Sequence, residues 1–219
     1  MYLVRPPYLL KKLYSKAIWR MDASQKKIYL TFDDGPVPLI TPWVLGILKQ
    51  YNIQATFFCV GENIVKHQEI FQRIINEGHR TGNHTYNHLN GWNTHTNSYI
   101  QNIQLCDEVL KCDNGPGPTK LFRPPYGRAK KSQITTLSSK NHLNQLPYSV
   151  IMWDLLSGDY DKKTSPEKCL SNVVNNVRNG SIIVFHDNLK AKINLEYALP
   201  RFIEYALSQG FEFEKINRI

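Results

Sequence analysis

Lys27-Ile28-Tyr29-Leu30-Thr31-Phe32-Asp33-Asp34-Gly35-Pro36 is the stretch whose reading decides the fold. Aromatic and β-branched side chains predict a strand over 27–32, and the run stops on two carboxylates, a glycine and a proline. Working outward, the same grammar recurs. Thr41-Pro42 reads as a helix cap followed by proline at the first helical position, opening a helix to about 50. Residues 55–60 read as a second strand, and the apolar spacing over 65–76 as one helix. Residues 80–82 lead into a histidine-bearing loop, 98–111 into a further helix, and 114–118 into a Gly/Pro turn. Short strands are expected at 121–122, 148–153, 181–185 and 211–215. Helices are expected at 130–139, 165–176 and 195–208. Strands alternating with helices at this frequency predict an α/β fold with a mostly parallel sheet, helices outside, and chemistry at the carboxyl ends of the strands.

The chain has 219 residues, 42% hydrophobic and 21% charged, which suits one folded domain of ordinary composition. No apolar run approaches the roughly 20 residues of a membrane helix, so no transmembrane segment is expected. Residues 1–26 read as a basic arm packed on or preceding the domain, and 27–219 as the domain itself. The arm has no apolar core of signal-peptide length, so the chain as written reads as cytoplasmic; a leader outside it would make the protein envelope-bound or secreted. Net charge is +9, with Arg5, Lys11, Lys12, Lys16, Arg20, Lys26 and Lys27 set against Asp22 near the amino end. That excess fits an anionic cell-envelope polymer as partner, or simply a solvated lysine-rich surface. No nucleic acid is expected, because no recognition module accompanies the charge. Cys59, Cys106, Cys112 and Cys169 form no CxxC pair. Cys59 reads as a core thiol, and no bridge is expected.

The polar clusters carry the function. Asp33 and Asp34 point apart in an extended chain, so the pair can serve two roles, although alone it also fits a simple turn. His84 and His88 stand at i, i+4, which on a helical turn puts both imidazoles on one side. With one carboxylate they make a two-histidine, one-carboxylate metal set that leaves a position for water. The second carboxylate is placed to act as base, and His186, at another strand end, to protonate a leaving group. Arg123 is suited to hold a carboxylate through a bidentate contact. His79 and His95 lack this geometry and read as structural or surface residues. The set describes an amide or ester hydrolase without specifying its substrate.

Five stretches in this order carry a resemblance: Thr31–Pro36, His84–His88, Arg123-Pro124-Pro125-Tyr126-Gly127, Asp154–Tyr160 and Val184-Phe185-His186-Asp187. Together they resemble the polysaccharide deacetylase family (the NodB-homology domain, carbohydrate esterase family 4) over about residues 27–215. The resemblance implies a distorted (β/α) barrel of seven strands. It implies Asp34, His84 and His88 as ligands of a divalent metal, most simply Zn, with Co, Ni or Fe able to replace it. It implies Asp33 as general base, Arg123 as the residue positioning that base, and the Tyr126 N–H as oxyanion donor. His186 is implied as general acid and Asp159 as the carboxylate that tunes it. Tyr160 stands where the family commonly has tryptophan, and Val184 where it commonly has leucine; these two, with Trp153 and Pro124, are expected around the acyl pocket. The implied reaction is release of acetate from an N-acetylated carbohydrate such as peptidoglycan, a chitin-like polymer or an exopolysaccharide. An O-acetyl polysaccharide esterase and a non-catalytic carbohydrate-binding protein are the alternatives.

Overall fold

The computed structural model describes residues 3–110, 120–139 and 147–217. The arm contains α1 (Tyr8–Leu13), and β1 (Lys27–Asp33) opens the sheet. There follow α2 (Ile40–Gln50), β2 (Thr56–Cys59), α3 (Gly61–Lys66), α4 (Gln68–Asn76), β3 (Arg80–Asn83) and α5 (Thr96–Val109). Next come β4 (Lys120–Phe122), α6 (Lys131–Leu137), β5 (Tyr148–Val150) and β6 (Leu155–Leu156). The last elements are α7 (Pro166–Val174), β7 (Ile182–His186), α8 (Lys192–Ser208) and β8 (Glu212–Phe213). The sheet order is β5-β4-β3-β2-β1-β7-β6, all pairings are parallel, and β8 adds to the start of β1. The seven-strand path of a distorted barrel is present, with β8 as a short eighth strand.

Alternation within β1 divides the interior in two. Ile28, Leu30 and Phe32 face outward and pack with residues of α2, α4, α7 and α8; Phe32 stacks on Phe57 at 5.0 Å. Tyr29 faces inward with Phe58, Leu121, Ile151, Ile182 and Ile216. Thr31 and Asp33 continue that inner face toward the carboxyl end, where the buried Arg123 guanidinium lies 4.1 Å from the Phe58 ring.

The path leaves β5 and β6 unpaired with each other, and the arm fills this seam. Ile18 donates to the Val150 carbonyl at 2.8 Å and accepts from the Met152 N–H at 2.7 Å; the Val4 carbonyl accepts from Leu156 at 2.8 Å. Ala17 and Trp19 are buried, and Arg20 bridges to Ser181. The basic arm thus supplies backbone partners that a missing strand would otherwise leave unmet.

Four local expectations change. The helix expected over 65–76 is two helices, because His67 leaves helical geometry (φ −135°, ψ 49°) between α3 and α4. Residues 80–83 form β3 despite their polar composition: pairing with β2 makes them a strand, and Gly82 admits the Phe58 ring where a Cβ would sit 2.7 Å from it. Thr41 does not cap α2; the helix begins at Ile40, and the Thr41 hydroxyl accepts from the Val37 N–H at 2.7 Å. The strand expected over 148–153 stops at Val150, so Asp154 precedes β6 instead of ending a strand. Its N–H donates to the carbonyl of Ile182, the first residue of β7, which sets it at the amino end of the sheet. The turn at 114–118 and Cys112 lie outside the described residues; Cys59, Cys106 and Cys169 are buried.

Candidate active site

Parallel pairing gathers the chemistry on one edge. Asp33, the last residue of β1, is in register with His186, the last of β7. Asp34 follows β1 directly, His84 follows β3, and Arg123 follows β4, its N–H donating to the Asn83 carbonyl. Asp159 lies three residues beyond β6. Asp154, by contrast, belongs to the opposite end.

Asp34, His84 and His88 each offer a ligand atom within 4.8 Å of the others. The Asp34 Oδ1 lies 3.4 Å from His84 Nε2 and 3.1 Å from His88 Nε2. No helical turn arranges the two imidazoles, as the spacing had suggested. They sit on a loop leaving β3 in which Thr85 (φ 65°) and His88 (φ 58°) are both left-handed. That costly backbone is secured by side chains: Asn83 Oδ1 accepts from Thr85 N–H at 2.8 Å, and Thr85 Oγ1 from Leu89 N–H at 3.0 Å. His84 Nδ1 meets the Arg123 carbonyl at 2.8 Å, an acceptor only, so this nitrogen carries the hydrogen and Nε2 keeps its lone pair. His88 Nδ1 meets the Tyr126 hydroxyl at 3.1 Å. Two imidazoles and a carboxylate are a donor set suited to a divalent cation. Burial alone would raise the Asp34 carboxyl, but the neighbouring His84 and His88 imidazoles and the charge of His186 hold it well below the ordinary carboxylate range.

Asp33 Oδ1 accepts from Arg123 Nη1 at 2.6 Å. The expected bidentate contact is absent: the same Nη1 also serves Thr31 Oγ1 at 2.8 Å, Nη2 the Met152 carbonyl at 3.0 Å and Nε the Ile151 carbonyl at 3.2 Å. Arg123 is therefore anchored to the barrel wall, and no other hydrogen bond to the Asp33 carboxylate occurs among the described residues. Across the site, His186 Nδ1 pairs with Asp159 Oδ1 at 2.8 Å, and the His186 N–H donates to Asp159 Oδ2 at 2.7 Å. Burial would lower the imidazole, but Asp159, with Asp34 and Asp33 behind it, outweighs this and raises it to about 9.

Tyr126 is left-handed (φ 59°) in a one-turn 3-10 segment, Pro125–Gly127; Pro125 has no N–H and the Gly127 N–H donates to the Pro124 carbonyl, so the Tyr126 N–H is the one left without a partner in the turn. Tyr160 sits edge-on to His186 with ring centroids 4.8 Å apart. Trp153 packs against Gly127 (φ 66°), where a Cβ would meet its ring at 2.3 Å, and against Trp19. Pro124 and Val184 are buried, Val184 between Thr31 and Leu156 in the sheet, so they shape the wall from behind.

Three positioning residues escaped the sequence reading. Asn188 donates from Nδ2 to the second oxygen of Asp34 at 2.5 Å, and Asn63 from Nδ2 to its carbonyl at 2.7 Å. Asp187 accepts from the Gly35 N–H at 3.0 Å and the Thr41 hydroxyl at 2.6 Å. A Cβ on Gly35 would lie 2.0 Å from the Asp187 carboxylate, which explains why glycine follows the two aspartates. Adjacency to His186 was the only local signal for Asp187 and Asn188.

Comparison with known proteins agrees with this geometry. The family model described as polysaccharide deacetylase matches residues 20–148. A peptidoglycan-N-acetylglucosamine deacetylase of Bacillus cereus is 34% identical over 194 residues, covering 87% of this chain and 66% of the relative. A second B. cereus protein of the same description is 29% identical, covering 92% and 91%. The crystal structure of the Bc1960 peptidoglycan N-acetylglucosamine deacetylase, complexed with a benzamide ligand, superposes with a TM-score of 0.83 at 30% identity, over 96% of this chain and 95% of that one. The chain belongs to the polysaccharide deacetylase family.

Proposed function

We propose that the protein hydrolyses the N-acetyl group of N-acetylglucosamine residues in peptidoglycan, releasing acetate, with zinc held by Asp34, His84 and His88. The observation that carries this reading is the presence of two differently dressed groups, in register on neighbouring strands, beside one donor set. Asp33 is pinned through one oxygen by Arg123, and His186 is tethered through Nδ1 by Asp159. The relatives named above support the substrate.

A divalent cation held by Asp34, His84 and His88 would supply Lewis acidity to the amide carbonyl and to the attacking water. Asp33 takes a proton from that water as its oxygen bonds to the carbonyl carbon. The Tyr126 N–H is available to the oxygen that gains charge as the carbon becomes tetrahedral. The C–N bond then breaks, and His186 gives its Nε2 proton to the departing nitrogen. Asp159 keeps that imidazole protonated and aimed. Arg123 fixes the Asp33 carboxylate without meeting substrate.

The test is acetate release from N-acetylated and O-acetylated glycans by metal-stripped and zinc-restored protein. Release from peptidoglycan that depends on restored zinc is expected. Release only from O-acetylated glycans would replace this reading with an esterase.

A further inference from the structure

Beside the reaction centre lies a cavity of about 680 Å³ lined by Lys162, Lys163, Lys190, Leu189, Ile193 and Asn194. It is joined to the catalytic wall by direct bonds. The buried Asn194 donates from Nδ2 to the Asp159 carbonyl at 3.0 Å and to the Thr164 carbonyl at 3.1 Å. Leu189 follows Asn188, whose amide holds Asp34. One wall of the cavity is therefore one residue from a ligand-positioning group, and its floor is bonded to the partner of His186.

Its lining has a distinct chemistry. None of the three lysine ammonium groups has a carboxylate partner among the described residues, whereas Lys11, Lys27 and Lys120 are each paired with one. The loop's own carboxylate, Asp161, accepts from the Lys163 backbone N–H at 2.9 Å. Leu189 and Ile193 are 64% and 75% exposed at the same surface, unusually open for large apolar side chains. The amino end of α7 also opens here through Ser165 and Pro166, adding its partial positive charge. An uncharged sugar chain makes no use of three unpaired cations. A carboxylate-bearing substituent with small apolar side chains matches both halves of the lining.

We infer that this cavity is a substrate subsite for the sugar-linked carboxylates of peptidoglycan, carried by its peptide stem or, where the stem has been removed, by its lactyl ether, and that it makes the enzyme prefer anionic glycan over neutral N-acetylated oligomers. The inference rests on the deacetylase reading above.

The experiment compares three substrates of equal sugar count: peptide-bearing peptidoglycan fragments, the same fragments trimmed by an amidase to the lactyl carboxylate, and a neutral N-acetylglucosamine oligomer. Each is given to zinc-loaded wild type and to Lys162→Gln/Lys163→Gln/Lys190→Gln. Exposed charges contribute modestly one by one, so the triple variant is expected to lose about tenfold in kcat/KM on the peptide-bearing fragments. The loss should fall on KM, leave kcat and the neutral oligomer unchanged, and match the decline that added salt causes in wild type. Loss confined to intact fragments assigns the lysines to the peptide carboxylates; loss shared by the trimmed fragments shows that they also take the lactyl carboxylate that the amidase frees. An equal loss on all three substrates, or none on any, overturns the subsite. Wild type inactive on every substrate overturns the deacetylase reading itself.

Discussion

Two buried aspartates, each held by an arginine at 2.6 Å, stand at opposite ends of this barrel and do opposite things. At the carboxyl end, Asp33 has one arginine on one oxygen. At the amino end, Asp154 is fully saturated. Arg178 bonds both its oxygens from Nε and Nη2, Arg5 reaches both from Nη1, Lys11 takes Oδ1 at 3.1 Å and Ser181 takes Oδ2 at 2.9 Å. Three cations around one carboxylate tie the arm to the segment before β7, and Arg5 is fastened further to the Asn176 carbonyl. A carboxylate with every lone pair occupied has nothing left for a proton in flight. Chemistry lies where satisfaction is incomplete, and cohesion where it is complete.

This contrast is broken most forcefully at the reactive end. Asp33→Asn should lower kcat by about 10²–10⁴-fold, the range of general-base contributions, while zinc content after dialysis stays at the wild-type level. Retention of a near-wild-type rate would remove Asp33 as base.

The mirror substitution, Asp154→Ala, should leave kcat of the folded protein unchanged and cost on the order of 3 kcal/mol in urea unfolding, because three cations lose their counter-charge. Burial would raise the Asp154 carboxyl, but Arg178, Ser181, Lys11 and Arg5 hold it below its ordinary value. The stabilisation is therefore present above the ordinary aspartate value of about 3.9 and is lost as pH falls through the folded-state value. The gap in stability between wild type and variant should close along that acid limb. A gap that persists there would mean packing, not charge, makes the difference.

Asn188→Ala sharpens the comparison by freeing one oxygen of Asp34, the carboxylate of the proposed metal set. Loss of such a supporting hydrogen bond should weaken zinc about tenfold in chelator competition, with thermal stability of the metal-free protein little changed. Equal affinity would show Asn188 to be a bystander. The smallest effect is expected at Asp159→Asn. His186 is raised to about 9 chiefly by this neighbour, so the alkaline limb of kcat/KM should move to lower pH, the acid limb staying in place. An unmoved alkaline limb would assign that limb to another group.

How much of this was legible beforehand varies with the element. β1 was readable because apolar alternation and an abrupt polar stop are local signals. β3 was not, since Arg80-Thr81-Gly82-Asn83 becomes a strand only when β2 and Phe58 lie beside it. The two histidines were found by spacing, yet the reason offered, a helical turn, was wrong: left-handed Thr85 and His88 do the work, and Asn83 and Leu89 secure them. Asp154 directly follows the strand expected over 148–153, and sequence position cannot tell which end of the sheet such a junction faces once the strand splits.

The sequence by itself determined which atoms are available: two adjacent carboxylates after a strand, paired histidines, an arginine, and a histidine–aspartate couple, in the order that marks the family. These are chemical identities and short-range periodicities, and both survive in one dimension. Only the tertiary structure decided which carboxylate is left partly unsatisfied, which arginine it meets, and that the basic arm completes the barrel wall. Those outcomes depend on contacts such as Arg123–Asp33, 90 residues apart, and Arg5–Asp154, 149 apart. Such pairs are selected by the strand pairing, which sets the register that brings residues distant in sequence side by side.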